Sequence, residues 1–159
     1  MNDGITNIVI AGLGGQGVIK ASDIVADAAF RAGHDVKKSE LHGMSQRGGS
    51  VSSDVRFGRE VFSPMVPTGE ADFLVVVAAD QVEVNRFQLR AGGLLITPEA
   101  VDANQLANRK SLNVALLGVL SKRLDIAEEH WREAMFAAFP EKLHATNLRA
   151  FALGRGEAG

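Results

Sequence analysis

The stretch Gly12-Leu13-Gly14-Gly15-Gln16-Gly17 constrains the fold of this chain more than any other. Before it stands Asn7-Ile8-Val9-Ile10-Ala11, a short run that reads as a strand buried on both faces. After it, Val18, Ala21, Val25, Ala28 and Ala29 fall at three- and four-residue spacing, which marks one face of a helix. Between a strand and a helix, the first glycine permits a tight turn. The second lets backbone approach a phosphate, and the third lets the helix pack close to the strand. Free N–H groups at the helix start attract an anion. Gly12, Gly14, Gly15, Gln16 and Gly17 are therefore candidates for a phosphate, nucleotide or dinucleotide turn. The same glycines would serve if the turn bound nothing and only had to be tight.

Gly33 fits a glycine just past a helix end, and residues 34–39 give a second strand. This predicts a β-α-β unit with a right-handed crossover. Val51, Ser53, Val55 and Phe57 alternate with Ser52, Asp54 and Arg56, the pattern of a half-exposed strand. Gly58-Arg59 reads as a hairpin turn, with residues 60–63 returning as a short strand. Residues 72–77 form an apolar strand, and Asp80 is a candidate cap for a helix over 81–90, ended by Gly92-Gly93. Residues 94–97 give another strand. Helices follow around 112–120, over 127–138 (Trp131, Met135 and Phe139 at four-residue spacing), and from Pro140 to Leu153, where Gly154 stops the last. The expectation is one α/β domain over residues 1–159. It is Rossmann-like, with a mostly parallel sheet, helices on both faces and a helical C-terminal tail.

Glu40, Leu41, His42, Gly43, Met44, Ser45, Gln46, Arg47, Gly48 and Gly49 have no periodicity and read as a polar loop. The loop follows the carboxyl end of the second strand, where open α/β sheets place their sites. Arg47 could clamp a carboxylate or phosphate through two parallel hydrogen bonds, and His42 could shuttle a proton near neutral pH. Short polar residues and glycines are also ordinary loop chemistry. Glu40 stands near the place of a ribose-holding acid, although Lys37 and Lys38 precede it. His34, His130 and His144 read as turn or helix-face residues.

Composition then removes whole classes of chemistry. The chain has no cysteine, so it forms no disulfide, zinc–thiolate site, cysteine nucleophile or cysteine-held iron–sulfur cluster. Four scattered histidines suggest no metal nest. A net charge of −2 provides no field toward nucleic acid or an anionic membrane. The longest apolar run, residues 73–79, is strand-length, well short of the roughly 18 residues of a membrane span. Met1-Asn2-Asp3-Gly4 lacks the basic start of a secretory signal, so the expected location is the cytoplasm.

Two stretches together are more specific than either alone. Residues 12–18 and residues 39–51 (Ser39-Glu40-Leu41-His42-Gly43-Met44-Ser45-Gln46-Arg47-Gly48-Gly49-Ser50-Val51) closely resemble the gamma-type subunit of 2-oxoacid:acceptor oxidoreductases. Within that family the likeness is to the small (beta) subunit of the indolepyruvate ferredoxin branch. It continues through Val55-Arg56-Phe57-Gly58, Phe62-Ser63-Pro64, Gly69-Glu70-Ala71-Asp72, residues 113–124 and Phe139-Pro140-Glu141-Lys142. The resemblance implies a complex that oxidatively decarboxylates a 2-oxoacid, such as indolepyruvate or phenylglyoxylate. It implies thiamine diphosphate with Mg2+ and iron–sulfur clusters on partner subunits, with coenzyme A taking the acyl group. Ferredoxin, or NAD through an extra subunit, would accept the electrons. This chain would support assembly and the active-site or coenzyme A entrance, and would carry no catalytic residue or metal of its own. The connection 98–110 is shorter than in the family, as if a strand–helix unit were contracted. The alternative from the residues alone is a stand-alone nucleotide-binding protein.

Overall fold

A computed structural model describes residues 4–42 and 49–157. Five strands form one sheet in the order β2-β3-β1-β4-β5: β1 Thr6–Leu13, β2 Asp35–His42, β3 Ser50–Gly58, β4 Ala71–Val76 and β5 Leu89–Ile96. β1 pairs in parallel with β4, and β4 with β5. β3 lies between β1 and β2 and runs antiparallel to both. The α/β class holds and only β3 opposes the common direction. The two strands of the expected β-α-β unit are therefore parallel but not adjacent.

The alternation along each strand divides the core. On one face Ile8, Ile10, Val55, Phe57, Val75, Val77 and Ile96 pack with the helices α1 Val18–Arg31, α3 Leu112–Ser121, α4 Glu128–Ala138 and α5 His144–Arg155. Trp131 is fully buried there, and all but two residues of α3 are buried. On the other face Val9, Leu74 and Val76 meet Val66, Val82, Leu89 and Leu95. The helical cover of that face is thin, because α2 spans only Val82–Asn85 between two 3-10 turns.

Three local expectations change. Residues 60–63 form no strand. The chain is held there by side chains instead: Val61 N–H donates to Asp35 (2.8 Å) and Val66 N–H to Asp54 (2.9 Å). No long helix fills 81–90, because Leu89 pairs with Ala71 in the sheet and Arg90 Nε donates to the buried Asp72 carboxylate at 2.7 Å. Asp80 makes no capping bond, and Gly92-Gly93 lie inside β5, within the bulge between its Leu89 and Leu94 pairings. Gly154 does not stop α5; the helix ends at Gly156. Gly154 instead faces Gly118, where a Cβ on Gly154 would come within 1.8 Å of the Ala115 carbonyl oxygen. Two helices can approach that closely only where neither carries a side chain. Among the described residues no helix is long and apolar enough to cross a membrane, and no three His, Asp or Glu residues cluster as a metal site.

Candidate functional site

The glycine turn leaves β1 at its carboxyl end. Gln16 folds back so that its Oε1 accepts from Leu13 N–H at 2.7 Å. Gly12 has no room for a side chain, since a Cβ would lie 2.9 Å from that Oε1 and 3.0 Å from Val18 Cγ2. Gly17 stands at the N-cap of α1 with φ +78°, a left-handed conformation that L side chains avoid. No side chain caps this helix, so its first N–H groups remain available to an anion.

A cleft of about 460 Å3 opens beside the turn. Gly15, Gln16 and Gly17 form one wall. Lys20, Arg109 and Lys110 bring three cations, and none of the described lining residues is acidic. Asn113 and Asn147 contribute amides, and Val77, Leu112 and Phe139 contribute apolar surface. Lys20 Nζ donates to the Ala138 carbonyl oxygen (2.9 Å) and sits 5.5 Å from the Phe139 ring centre. His144 Nε2 lies 2.8 Å from the Phe139 carbonyl oxygen and 3.2 Å from that of Phe136, which fixes the same wall from behind. A concave, cationic site with one aromatic side suits a phosphate-bearing ligand with an apolar part.

The polar loop springs from the same edge. Ser50 is opposite Leu13, so the end of the loop at β3 adjoins the glycine turn, whereas His42 is opposite Val51 and is separated from β1 by β3. Gly14 N–H donates to the Gly49 carbonyl oxygen at 2.8 Å. Glu40 and His42 belong to β2 rather than to the loop. Gly43, Met44, Ser45, Gln46, Arg47 and Gly48 lie outside the described residues. Glu40 is not free to hold a ribose, because its carboxylate pairs with Lys38, which also meets Asp23 at 3.0 Å. Burial pulls the Lys38 ammonium down, but the bonds to Glu40 and Asp23 outweigh it and hold it above the ordinary lysine value.

Sequence reasoning found the turn but missed Lys20, Arg109, Lys110, Asn113, Phe139 and Asn147. The Arg109-Lys110 pair is visible in the sequence. Its position against a turn some ninety residues earlier depends on how α3 docks on α1, which no local pattern reports.

Residues 7–157 match the pyruvate ferredoxin/flavodoxin oxidoreductase family. The chain is 36% identical to the indolepyruvate oxidoreductase subunit IorB of Thermococcus kodakarensis, over 93% of each chain. That match spans 190 positions against 159 residues here, so the relative carries segments with no counterpart in this chain. Among solved structures, the gamma subunit of a keto/oxoacid ferredoxin oxidoreductase from Geobacter sulfurreducens superposes with TM-score 0.80 and 22% identity, covering 97% of this chain and 96% of that one. The 2-oxoglutarate:ferredoxin oxidoreductase of Magnetococcus marinus, solved with 2-oxoglutarate, coenzyme A and succinyl-CoA bound, superposes with TM-score 0.81 and 23% identity. It covers 97% of this chain, but the shared fold makes up only 31% of that longer chain. By sequence and by fold, then, the chain belongs to the pyruvate ferredoxin/flavodoxin oxidoreductase family, as a subunit of a 2-oxoacid:ferredoxin oxidoreductase complex.

Proposed function

We propose that this chain is the gamma-type subunit of a thiamine-diphosphate-dependent complex that oxidatively decarboxylates an aromatic 2-oxoacid, indolepyruvate ahead of phenylglyoxylate. In this reading its cleft binds the phosphate-bearing part of coenzyme A at the entrance to an active site housed by a partner. The observation that carries the proposal is the cleft itself. Three cations and uncapped helix N–H groups converge on it, with no described acidic neighbour. Thiamine diphosphate, Mg2+ and the clusters belong to partner subunits, which agrees with a chain that has no cysteine. Ferredoxin, or NAD through a further subunit, receives the electrons. We assign the 40–49 segment, Arg47 and His42 included, to the face that meets the partner, a reading supported by its polar composition and by the family resemblance. Substrate preference rests on the indolepyruvate relative.

The test uses the assembled complex with Arg109→Glu and Lys110→Glu combined. The KM for coenzyme A is expected to rise at least about tenfold while the KM for the 2-oxoacid stays unchanged, since charge-assisted contacts to phosphate are among the stronger polar ones. An unchanged KM for coenzyme A, or tight binding of NAD by the free chain with no response of the complex to coenzyme A, overturns the reading.

A further inference from the structure

The side-chain amides that line the cleft belong to Gln16, Asn113 and Asn147, and they are not equally occupied. Gln16 Oε1 accepts from Leu13 N–H at 2.7 Å. Asn113 Nδ2 donates to the Gly17 carbonyl oxygen at 3.1 Å, and its Oδ1 accepts from Val114 N–H at 2.9 Å. Asn147 is only half engaged. Its Nδ2 donates to the Leu143 carbonyl oxygen at 3.0 Å, while its Oδ1 accepts from no group among the described residues. A carbonyl oxygen carries no hydrogen, so this amide has one orientation and Oδ1 points away from Leu143. Asn147 is 5% exposed and lines the cleft. Among the described residues, the side-chain polar atoms sealed away without a partner are His130 Nδ1 and Trp131 Nε1. Asn147 Oδ1 is not one of them, so its narrow opening is to the cleft.

A nearly buried, unengaged acceptor is out of keeping with the rest of the lining. Lys20, Arg109, Lys110 and the first N–H groups of α1 only donate, which suits a phosphate. An ionised phosphate has no hydrogen to give, so it does not satisfy Oδ1. The acceptor must therefore meet another part of the occupant, one that donates. Its surroundings narrow which part. His144 Nε2 lies 2.8 Å from the Phe139 carbonyl oxygen, and Asn147 follows three residues later on the same face of α5. Asn147 thus stands beside Phe139, and Val77 and Leu112 supply further apolar lining. A flat ring with an N–H donor on its edge fits an apolar wall with one acceptor at its side. In a phosphate-bearing ligand, that is a nucleotide base with an exocyclic amino group.

We propose that Asn147 is the specificity-determining residue of the cleft, its Oδ1 accepting a hydrogen bond from the amino group of the adenine ring of coenzyme A. The cations and the helix start hold the phosphates, and Asn147 selects the base. A base with an oxygen in place of that amino group sets two acceptors face to face, and the cleft rejects it. The inference rests on the proposed occupancy of the cleft by coenzyme A and adds how the base is chosen.

The test compares coenzyme A with its hypoxanthine analogue, which carries an oxygen in place of the amino group, as substrates of the assembled complex. In the wild type the KM for the analogue is expected to be at least about tenfold higher than that for coenzyme A. Asn147→Leu is expected to bring the ratio close to one, by raising the KM for coenzyme A. Should the leucine variant not assemble, Asn147→Ser, too short to reach the base, is read in the same way. Equal KM values in the wild type overturn the proposal. So does a variant that raises both KM values by the same factor, because Asn147 then only shapes the wall. Arg109→Glu with Lys110→Glu separates the two levels of the argument. If that variant raises both KM values while the wild type treats the two ligands alike, the cleft binds coenzyme A and the base selection by Asn147 falls. If it raises neither, the reading of the cleft falls, and this inference with it.

Discussion

Asn113 Nδ2 donates to the Gly17 carbonyl oxygen at 3.1 Å, joining residues 96 apart in sequence. The bond ties the first turn of α3 to the cap of α1, and it fixes the two edges of the cleft relative to each other. Gly17 has φ +78°, and a Cβ on it would come within 2.4 Å of that same Nδ2. Gly17→Ala is therefore expected to cost about 1–3 kcal/mol from backbone strain, beyond whatever displacement of Asn113 adds. Asn113→Leu removes one of two donors to the half-buried Gly17 carbonyl, which keeps the Ala21 N–H at 2.9 Å, and should cost about 0.5–1.5 kcal/mol. Urea unfolding measures both. If the two effects are transmitted through one bond, the double variant costs less than their sum.

Much of this architecture was legible in the sequence. β1, the glycine turn and α1 follow from an apolar run, five residues of turn chemistry and a helical stripe, all short-range signals. β3 follows from strict alternation. The failures occur where side chains override local pattern. Residues 60–63 look like a returning strand, yet Asp35 takes the Val61 N–H that a ladder would have used, and Asp54 takes the Val66 N–H just beyond. Residues 81–90 look helical until Arg90 is drawn into the sheet by Asp72. The cleft was half legible: its glycine wall is a motif, while its cations come from elements that meet only after α3 docks.

Gly154→Ala tests the contact between α3 and α5. The added carbon would sit 1.8 Å from the Ala115 carbonyl oxygen and 3.0 Å from Gly118 Cα. The neighbour is backbone, so it cannot swing aside as a side chain would. The expected loss is at the upper end of about 1–3 kcal/mol for overpacking, or beyond it. Calorimetry reads this as a lower thermal midpoint. Full retention of stability means that the helices sit farther apart than described.

The two aspartates that pin the 61–66 segment should respond to pH with opposite sign. The Val61 N–H and then Lys37 favour the ionised Asp35, which holds its carboxyl below the ordinary aspartate value. Its contribution is present above the unfolded value, near pH 4, and is lost as pH falls through the lower folded value. Burial dominates at Asp54 and raises its value, with the Val66 N–H working the other way. An Asp54 held charged therefore weakens the fold at neutral pH, and protonation relieves this as pH falls through the raised value. Asp35→Asn should destabilise at pH 7 and lose that effect well below pH 4, whereas Asp54→Asn should be neutral or stabilising at pH 7. Urea titrations at the two pH values read both signs.

The cleft cations differ in how free they are to meet a ligand. Lys20 is already engaged, with the Ala138 carbonyl oxygen at 2.9 Å and the Phe139 ring at 5.5 Å. Lys110 is exposed beside the same opening. If the occupant carries phosphate, its KM must rise with ionic strength, because exposed charges are screened beyond about 10 Å at 0.1 M salt. Each cation that contacts the phosphate adds to that slope. Lys110→Gln should then flatten the salt dependence of the coenzyme A KM more than Lys20→Gln does. Lys20→Gln should instead lower stability, by about 0.5–1.5 kcal/mol for the lost bond to Ala138. Steady-state kinetics of the complex in roughly 20 to 300 mM salt, about a fourfold range in screening length, measures the slopes. Equal slopes in the wild type and the Lys110 variant would remove Lys110 from the binding surface and leave Arg109 and the uncapped helix start as the sites of anion contact.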